Sequence, residues 1–166
     1  MDTRLEATRL IAAEPAAIFA VLCDPQGHVA IDASGMLQDA DGRPVEAAGD
    51  SFVVHMDRES LGDLPEMGKY DVTVTIREFE QDRLISWSIS SGGRTLDYVY
   101  GYRLEPADEP GSTRVTSFYD WTNIPARVHE RGIFPVISEN ALKGTLGILD
   151  RTVRRGYAGG ASRLGE

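Results

Sequence analysis

The chain has 166 residues, 42% hydrophobic and 26% charged, with a formal net charge of -9. That size and mixture fit one domain over residues 1–157 with a core of its own, followed by a flexible tail over 158–166 where Gly159, Gly160 and Gly165 gather. The acidic balance argues against nucleic acid as a partner, and a single cysteine, Cys23, excludes a disulfide framework.

Arg4 to Ala12 alternates loosely and reads as a first strand. Glu14-Pro15 opens a helix, since proline near a first turn removes an N–H that has no partner there. Its apolar side is Ile18, Phe19, Val21 and Leu22, and Asp24-Pro25 ends it. A second short helix is expected over Gln26 to Ala33, stopped by Ser34-Gly35. Met36 to Ala40 reads as a strand ended by the turn signal Asp41-Gly42. In Ser51 to Arg58, Phe52, Val54 and Met56 share one face, while Ser51, Val53, His55 and Asp57 share the other. Glu59 to Gly68 holds Gly62, Pro65 and Gly68 and reads as a loop.

Tyr70 to Phe79 alternates cleanly, with Tyr70, Val72, Val74 and Ile76 on one side. Arg83 to Ser90 sets Ile85, Trp87 and Ile89 against Leu84, Ser86 and Ser88, and Gly92-Gly93 turns the chain. Leu96 to Glu105 aligns Tyr98, Tyr100, Tyr102 and Leu104, and Arg114 to Thr122 aligns Val115, Ser117, Tyr119 and Trp121. Consecutive period-2 strands joined by short turns predict an antiparallel sheet with one covered face.

From Ile137 to Arg155 the period becomes helical. Ile137, Ser138, Ala141, Leu142, Thr145, Leu146, Ile148, Leu149, Thr152 and Val153 share half the circumference, opposite Glu139, Asn140, Lys143, Asp150, Arg151 and Arg154. The expected fold class is α+β: a curved antiparallel sheet of six or seven strands wrapped around a long C-terminal helix, with two short helices after the first strand.

The inner faces carry Phe52, Trp87, Tyr98, Tyr100, Tyr102, Tyr119 and Trp121. Aromatic walls with polar tips suit a pocket for a flat or long apolar molecule. They also suit a filled core. Four tyrosines are many hydroxyls to satisfy in a dry core, where each unpaired one costs about 1–3 kcal/mol, so a hollow interior is favoured. Ser138, Thr145 and Thr152 repeat every seven residues along the helix's apolar half. Such hydroxyls either face a ligand or bond the carbonyl four residues earlier. The candidate ligand-binding residues are Phe52, Val54, Val74, Trp87, Tyr98, Tyr100, Tyr102, Tyr119, Trp121, Ser138, Leu142, Thr145 and Leu149.

No metal site is expected, because His28, His55 and His129 fall on a short helix, a strand and a loop, without ligand spacing. His28 and Asp32 read as a solvated i,i+4 pair. His55, Asp57, Arg77 and Asp120 point outward and are expected to matter little for binding. No catalytic set and no cofactor motif is visible: there is no G-x-S-x-G, and neither Gly-Gly pair leads into a helix with a lysine.

Several stretches resemble the START-like, SRPBCC superfamily, which includes polyketide cyclase/dehydrase-like and lipid-transfer proteins. They are IAAEPAAIFAVLCDP (Ile11 to Pro25), IDASGML (Ile31 to Leu37), AGDSFVVHM (Ala48 to Met56), YRLEP followed by STRVTSFYDWT, and NALKGTLGILDRTV in the final helix. The resemblance covers nearly the whole chain and implies a helix-grip fold with a deep cavity under the C-terminal helix. It implies binding of hydrophobic small molecules and, in some members, aromatic cyclisation. It supplies no invariant catalytic set.

Three functions compete. The first is a carrier or sensor of a hydrophobic small molecule or lipid. The second is a polyketide cyclase or dehydratase in which Tyr100, Tyr102 or Tyr119 polarises a carbonyl; an inward carboxylate or histidine near a tyrosine would favour it. The third is a protein-interaction module, which the charged outer residues Arg77, Arg103 and Arg114 argue against. No apolar run is long enough for stable membrane insertion. Met1 to Arg9 lacks the apolar core of an export signal, so a cytoplasmic monomer or homodimer is expected.

Overall fold

The computed structural model describes residues 2–157. The tail expected over 158–166 lies outside the described residues. Among these residues, seven strands form one antiparallel sheet: β1 (Arg4–Ile11), β2 (Leu37–Asp41), β3 (Ser51–Asp57), β4 (Lys69–Glu80), β5 (Leu84–Ser91), β6 (Arg94–Pro106) and β7 (Thr113–Asp120). Their order is β1-β7-β6-β5-β4-β3-β2. Neighbours in sequence are therefore neighbours in space, except that β1 closes onto β7, Leu5 opposite Tyr119.

Two short helices, α1 (Pro15–Cys23) and α2 (Pro25–Ile31), follow β1. Asp24 ends the first and caps the second, its Oδ1 accepting the N–H of Gln26 at 3.0 Å. The turn between β5 and β6 is built on Gly92 and Gly93, both with positive φ (59° and 78°), as a tight hairpin with right-handed strand twist requires. Register shifts at Leu37/Asp39, Ile76/Glu78 and Ser88/Ser90 interrupt the ladders. Bulges of this kind bend the bulged strand, and the sheet curls accordingly.

The long helix, α5 (Glu139–Arg154), lies inside that curl. Leu142, Leu146 and Leu149 are buried along it. It packs chiefly on β1, α1 and α2 rather than on the middle strands. The face made by β3 to β6 consequently stands away from the helix, and this separation makes the interior hollow.

Four local expectations are corrected. The segment read as a loop over Glu59 to Gly68 contains a one-turn helix, α3 (Arg58–Leu61), and a 3-10 turn over Pro65–Met67. Asp57, read as outward-facing, is buried, because its Oδ1 caps α3 by accepting the N–H of Ser60 at 2.8 Å. His129 lies not on a loop but in a short helix, α4 (Ala126–Glu130). Asp150, read on the polar half of the last helix, is 6% exposed. Arg9 Nε at 2.8 Å and Arg154 Nε at 2.5 Å supply the opposite charge its burial requires.

Candidate functional site

Between α5 and the middle strands lies a cavity of about 1420 Å3. The sheet supplies one wall through the side chains of alternate residues: Val54 and Met56 from β3, Tyr70, Val72 and Val74 from β4, Trp87 and Ile89 from β5, and Leu96, Tyr98, Tyr100 and Tyr102 from β6. The helix closes it with Ala141, Leu142 and Thr145.

Eight of the sequence candidates line this space: Val54, Val74, Trp87, Tyr98, Tyr100, Tyr102, Leu142 and Thr145. Five do not. Tyr119 is fully buried behind Tyr100, the rings stacked at 4.2 Å and 11°, and its hydroxyl accepts the N–H of Val136 at 3.2 Å. Trp121 packs on Tyr119 at 5.0 Å. Phe52 sits behind His28, ring centroids 5.0 Å apart. Leu149 is fully buried in the core. Ser138 belongs to the helix end: its backbone is extended and its Oγ accepts the N–H of Ala141 at 3.1 Å. A repeat of seven places Ser138 on the apolar stripe, but the helix begins one residue later, and serine is a favoured cap.

Burial pushes the phenols of Tyr98, Tyr100 and Tyr102 up, that of Tyr98 to about 12, so they are neutral donors and acceptors near neutral pH. No buried side-chain nitrogen or oxygen among the described residues lacks a hydrogen-bond partner. The tyrosine hydroxyls are thus satisfied by partners or reach the cavity, as the hollow interior allows.

Among the polar members of the wall that sequence reasoning missed are His28 and Asp32. They are not a solvated pair. His28 is buried, with its ring edge-on to Trp87 at 4.7 Å. Its Nε2 lies 2.8 Å from the Leu22 carbonyl, which only accepts, so Nε2 carries the proton and Nδ1 is the free acceptor. Burial lowers its pKa to about 4 against the opposing pull of that bond and of Asp24. Asp32 accepts from Ser34 N at 2.9 Å, Ser34 Oγ at 2.6 Å and Leu37 N at 3.1 Å, which folds the chain back from α2 into β2. The one available signal was Ile31, which follows His28 by three residues and shares its buried side.

His55 points out of the sheet as expected. Its Nδ1 and Nε2 each lie 2.6 Å from a carboxylate, of Asp71 and Asp41 respectively. The bond to Asp71 first, then that to Asp41, raises its pKa to about 9.

A cavity of this shape under a C-terminal helix can be set beside known proteins. The family of polyketide cyclase / dehydrase and lipid transport proteins matches residues 2–164 of the chain. The chain belongs to this family. No curated protein matches it in sequence. Solved structures share the fold at low identity. Protein NE0264 from Nitrosomonas europaea superposes with a TM-score of 0.66 at 16% identity, covering 95% of this chain and 99% of that one. Protein CV1439 from Chromobacterium violaceum gives 0.63 at 13%, covering 92% and 98%. DynU16, a protein in the dynemicin biosynthetic locus, gives 0.60 at 13%, with 94% of this chain matching 49% of that one. The START-like family expected from the sequence is thereby shown, together with its helix-grip architecture. Among the described residues no helix is long and apolar enough to cross a membrane.

Proposed function

We propose that the protein binds a hydrophobic small molecule or lipid in the cavity between the sheet and α5, as a carrier or sensor. One observation carries this reading: the interior is a space of about 1420 Å3 walled by Trp87, Tyr98, Tyr100 and Tyr102, and not a filled core. Pockets of several hundred Å3 and more with aromatic walls and a few polar groups are the usual form of small-molecule sites. Titration of the purified protein with a fluorescent apolar probe, followed by native mass spectrometry of protein purified from its own host, tests it. Saturable one-to-one binding is expected, and a protein that neither binds the probe nor carries a co-purifying ligand would sink the reading. The same reading takes the protein as a cytoplasmic monomer or homodimer. Cys23 is buried, and burial first, then Asp82 and Asp24, pushes its thiol up to about 12.

A second reading, a cyclase or dehydratase, gains from the inward position of His28 and Asp32. A neutral imidazole with a free Nδ1 in the same cavity as the neutral phenols of Tyr100 and Tyr102 supplies a base and hydrogen-bond donors for enolisation of a bound carbonyl compound. Turnover of a polyketide-like substrate that disappears in His28→Gln, with probe affinity retained, would decide for it.

A further inference from the structure

Charge is distributed unevenly between this cavity and the rest of the molecule. The whole chain carries 17 Lys and Arg against 26 Asp and Glu. The cavity wall reverses that balance: it includes Arg58, Arg94, Arg127 and Arg131 against the single carboxylate of Asp32. Asp32 is already committed to three hydrogen bonds within its own turn. Arg58 is likewise committed, with its Nε and Nη2 both on Asp63 Oδ2. The guanidinium groups of the other three make no hydrogen bond or ion pair among the described residues.

Those three are also exposed while lining the cavity, which puts them at its mouth. Arg94 opens β6. Arg127 and Arg131 are four residues apart on and just beyond α4, so they project from one side of that turn. Around them, Leu64, Met67, Ile133 and Val136 line the same space and are 39 to 54% exposed. The site thus has an apolar, aromatic interior and a cationic mouth in an otherwise acidic protein. Unpaired guanidinium groups match planar oxyanions by paired N–H donors and are weakly hydrated, so they release little hydration on contact.

We infer that the ligand is an anionic amphiphile, whose apolar body fills the cavity and whose carboxylate or phosphate head is held at the mouth by Arg94, Arg127 and Arg131. This rests on the proposed binding function and adds the chemical class of the ligand. It also sets the orientation, with the head outward and the tail among the tyrosines.

The test compares three probes with one ten-carbon tail, decanoate, decyl phosphate and decanol, by displacement of a fluorescent apolar dye. At least one anion should bind about tenfold tighter than decanol, roughly the value of one charge-assisted hydrogen bond. That advantage should fall to about threefold or less in the triple variant Arg94→Gln, Arg127→Gln, Arg131→Gln, and in roughly 0.5 M salt, while decanol affinity is unchanged. A preference for decanoate alone assigns a carboxylate, and a preference for decyl phosphate alone assigns a phosphate monoester. Because the three side chains are exposed and unpaired, their loss leaves folding intact; the single variant Arg127→Gln, with thermal denaturation alongside, controls for this. Equal affinity for all three probes, or an anion preference that survives the triple variant, overturns the inference and leaves the cavity reading standing. Failure of decanol and both anions to displace the dye overturns both.

Discussion

Thr145 Oγ1 accepts the backbone N–H of Ala33 at 3.2 Å, tying the middle of α5 to the chain leaving α2. Gly144 makes the approach possible: a Cβ there would stand 3.1 Å from the Cβ of Ala33. The hydroxyl therefore neither bonds back to its own helix nor is free for a ligand alone. Thr145→Val should destabilise the protein by about 1 kcal/mol, the usual net value of one hydrogen bond, while Thr145→Ser should retain most of it. Urea denaturation of both variants checks this; equal stabilities would show the bond contributes nothing.

The two interior and exterior histidines set opposite pH slopes. His28 is held neutral, with its pKa lowered to about 4 from 6.5. Between those values the unfolded chain binds a proton that the folded one refuses, so stability falls as pH drops from about 6.5 to about 4. His55 is held charged, with its pKa raised to about 9 from 6.5. Its contribution is fully present below about 6.5 and is lost as pH rises through about 9. Stability should therefore peak near pH 6.5. His55→Gln should flatten the alkaline limb only, and His28→Gln the acid limb only, in denaturation midpoints measured from pH 4 to 9.5. The alkaline limb should be the shallower, since His55 is solvent-exposed and its ion pairs are screened.

Gly101 in β6 marks the closest approach in the sheet. A Cβ there would lie 2.4 Å from Phe118 Cζ and 2.7 Å from the Ile85 carbonyl oxygen. Phe118 cannot swing away freely, because Arg4 lies over its ring at 4.6 Å. Gly101→Ala should cost about 1–3 kcal/mol, as overpacking does. In a Phe118→Ala background the penalty should shrink without vanishing, since the backbone oxygen stays. A double-mutant cycle measures the difference.

The sheet was legible because alternation over seven or more residues fixes both strand and face, as in Tyr70, Val72, Val74 and Ile76. The site was legible to the same extent: Val54, Val74, Trp87 and the three tyrosines of β6 follow from parity alone. Parity places a residue on the inner face but does not say whether helix or space lies opposite, so Tyr119 and Leu149 were taken with Tyr100 and Leu142. Short helices were less readable. α3 and α4 are too brief to show a period, and the seven residues of α2 do not fix which side His28 takes. Asp57 caps a helix too brief to show a period, three residues ahead at Ser60, while the burial of Asp150 depends on Arg9, 141 residues away and outside any local pattern. The arginines of the mouth come from two segments, the start of β6 and the α4 turn, that only the folded chain brings together.

The distinction between a filled and a hollow interior has a direct test in two valines. Val74 and Val115 are both buried, 3% and 0% exposed, and both face inward. Val74 lines the cavity and Val115 does not. Enlarging each to phenylalanine adds the same volume in two different surroundings. Val115→Phe must displace packed neighbours and should cost about 1–3 kcal/mol, with affinity for an apolar probe within about threefold of the parent. Val74→Phe extends into open space, so it should change stability by less than about 1 kcal/mol and weaken the probe about tenfold or more by occupying its volume. The two variants thus exchange effects, one losing stability and the other binding. Thermal denaturation and probe titration on both proteins read the pattern, and equal destabilisation by the two would mean that β4 faces packed side chains and not a cavity.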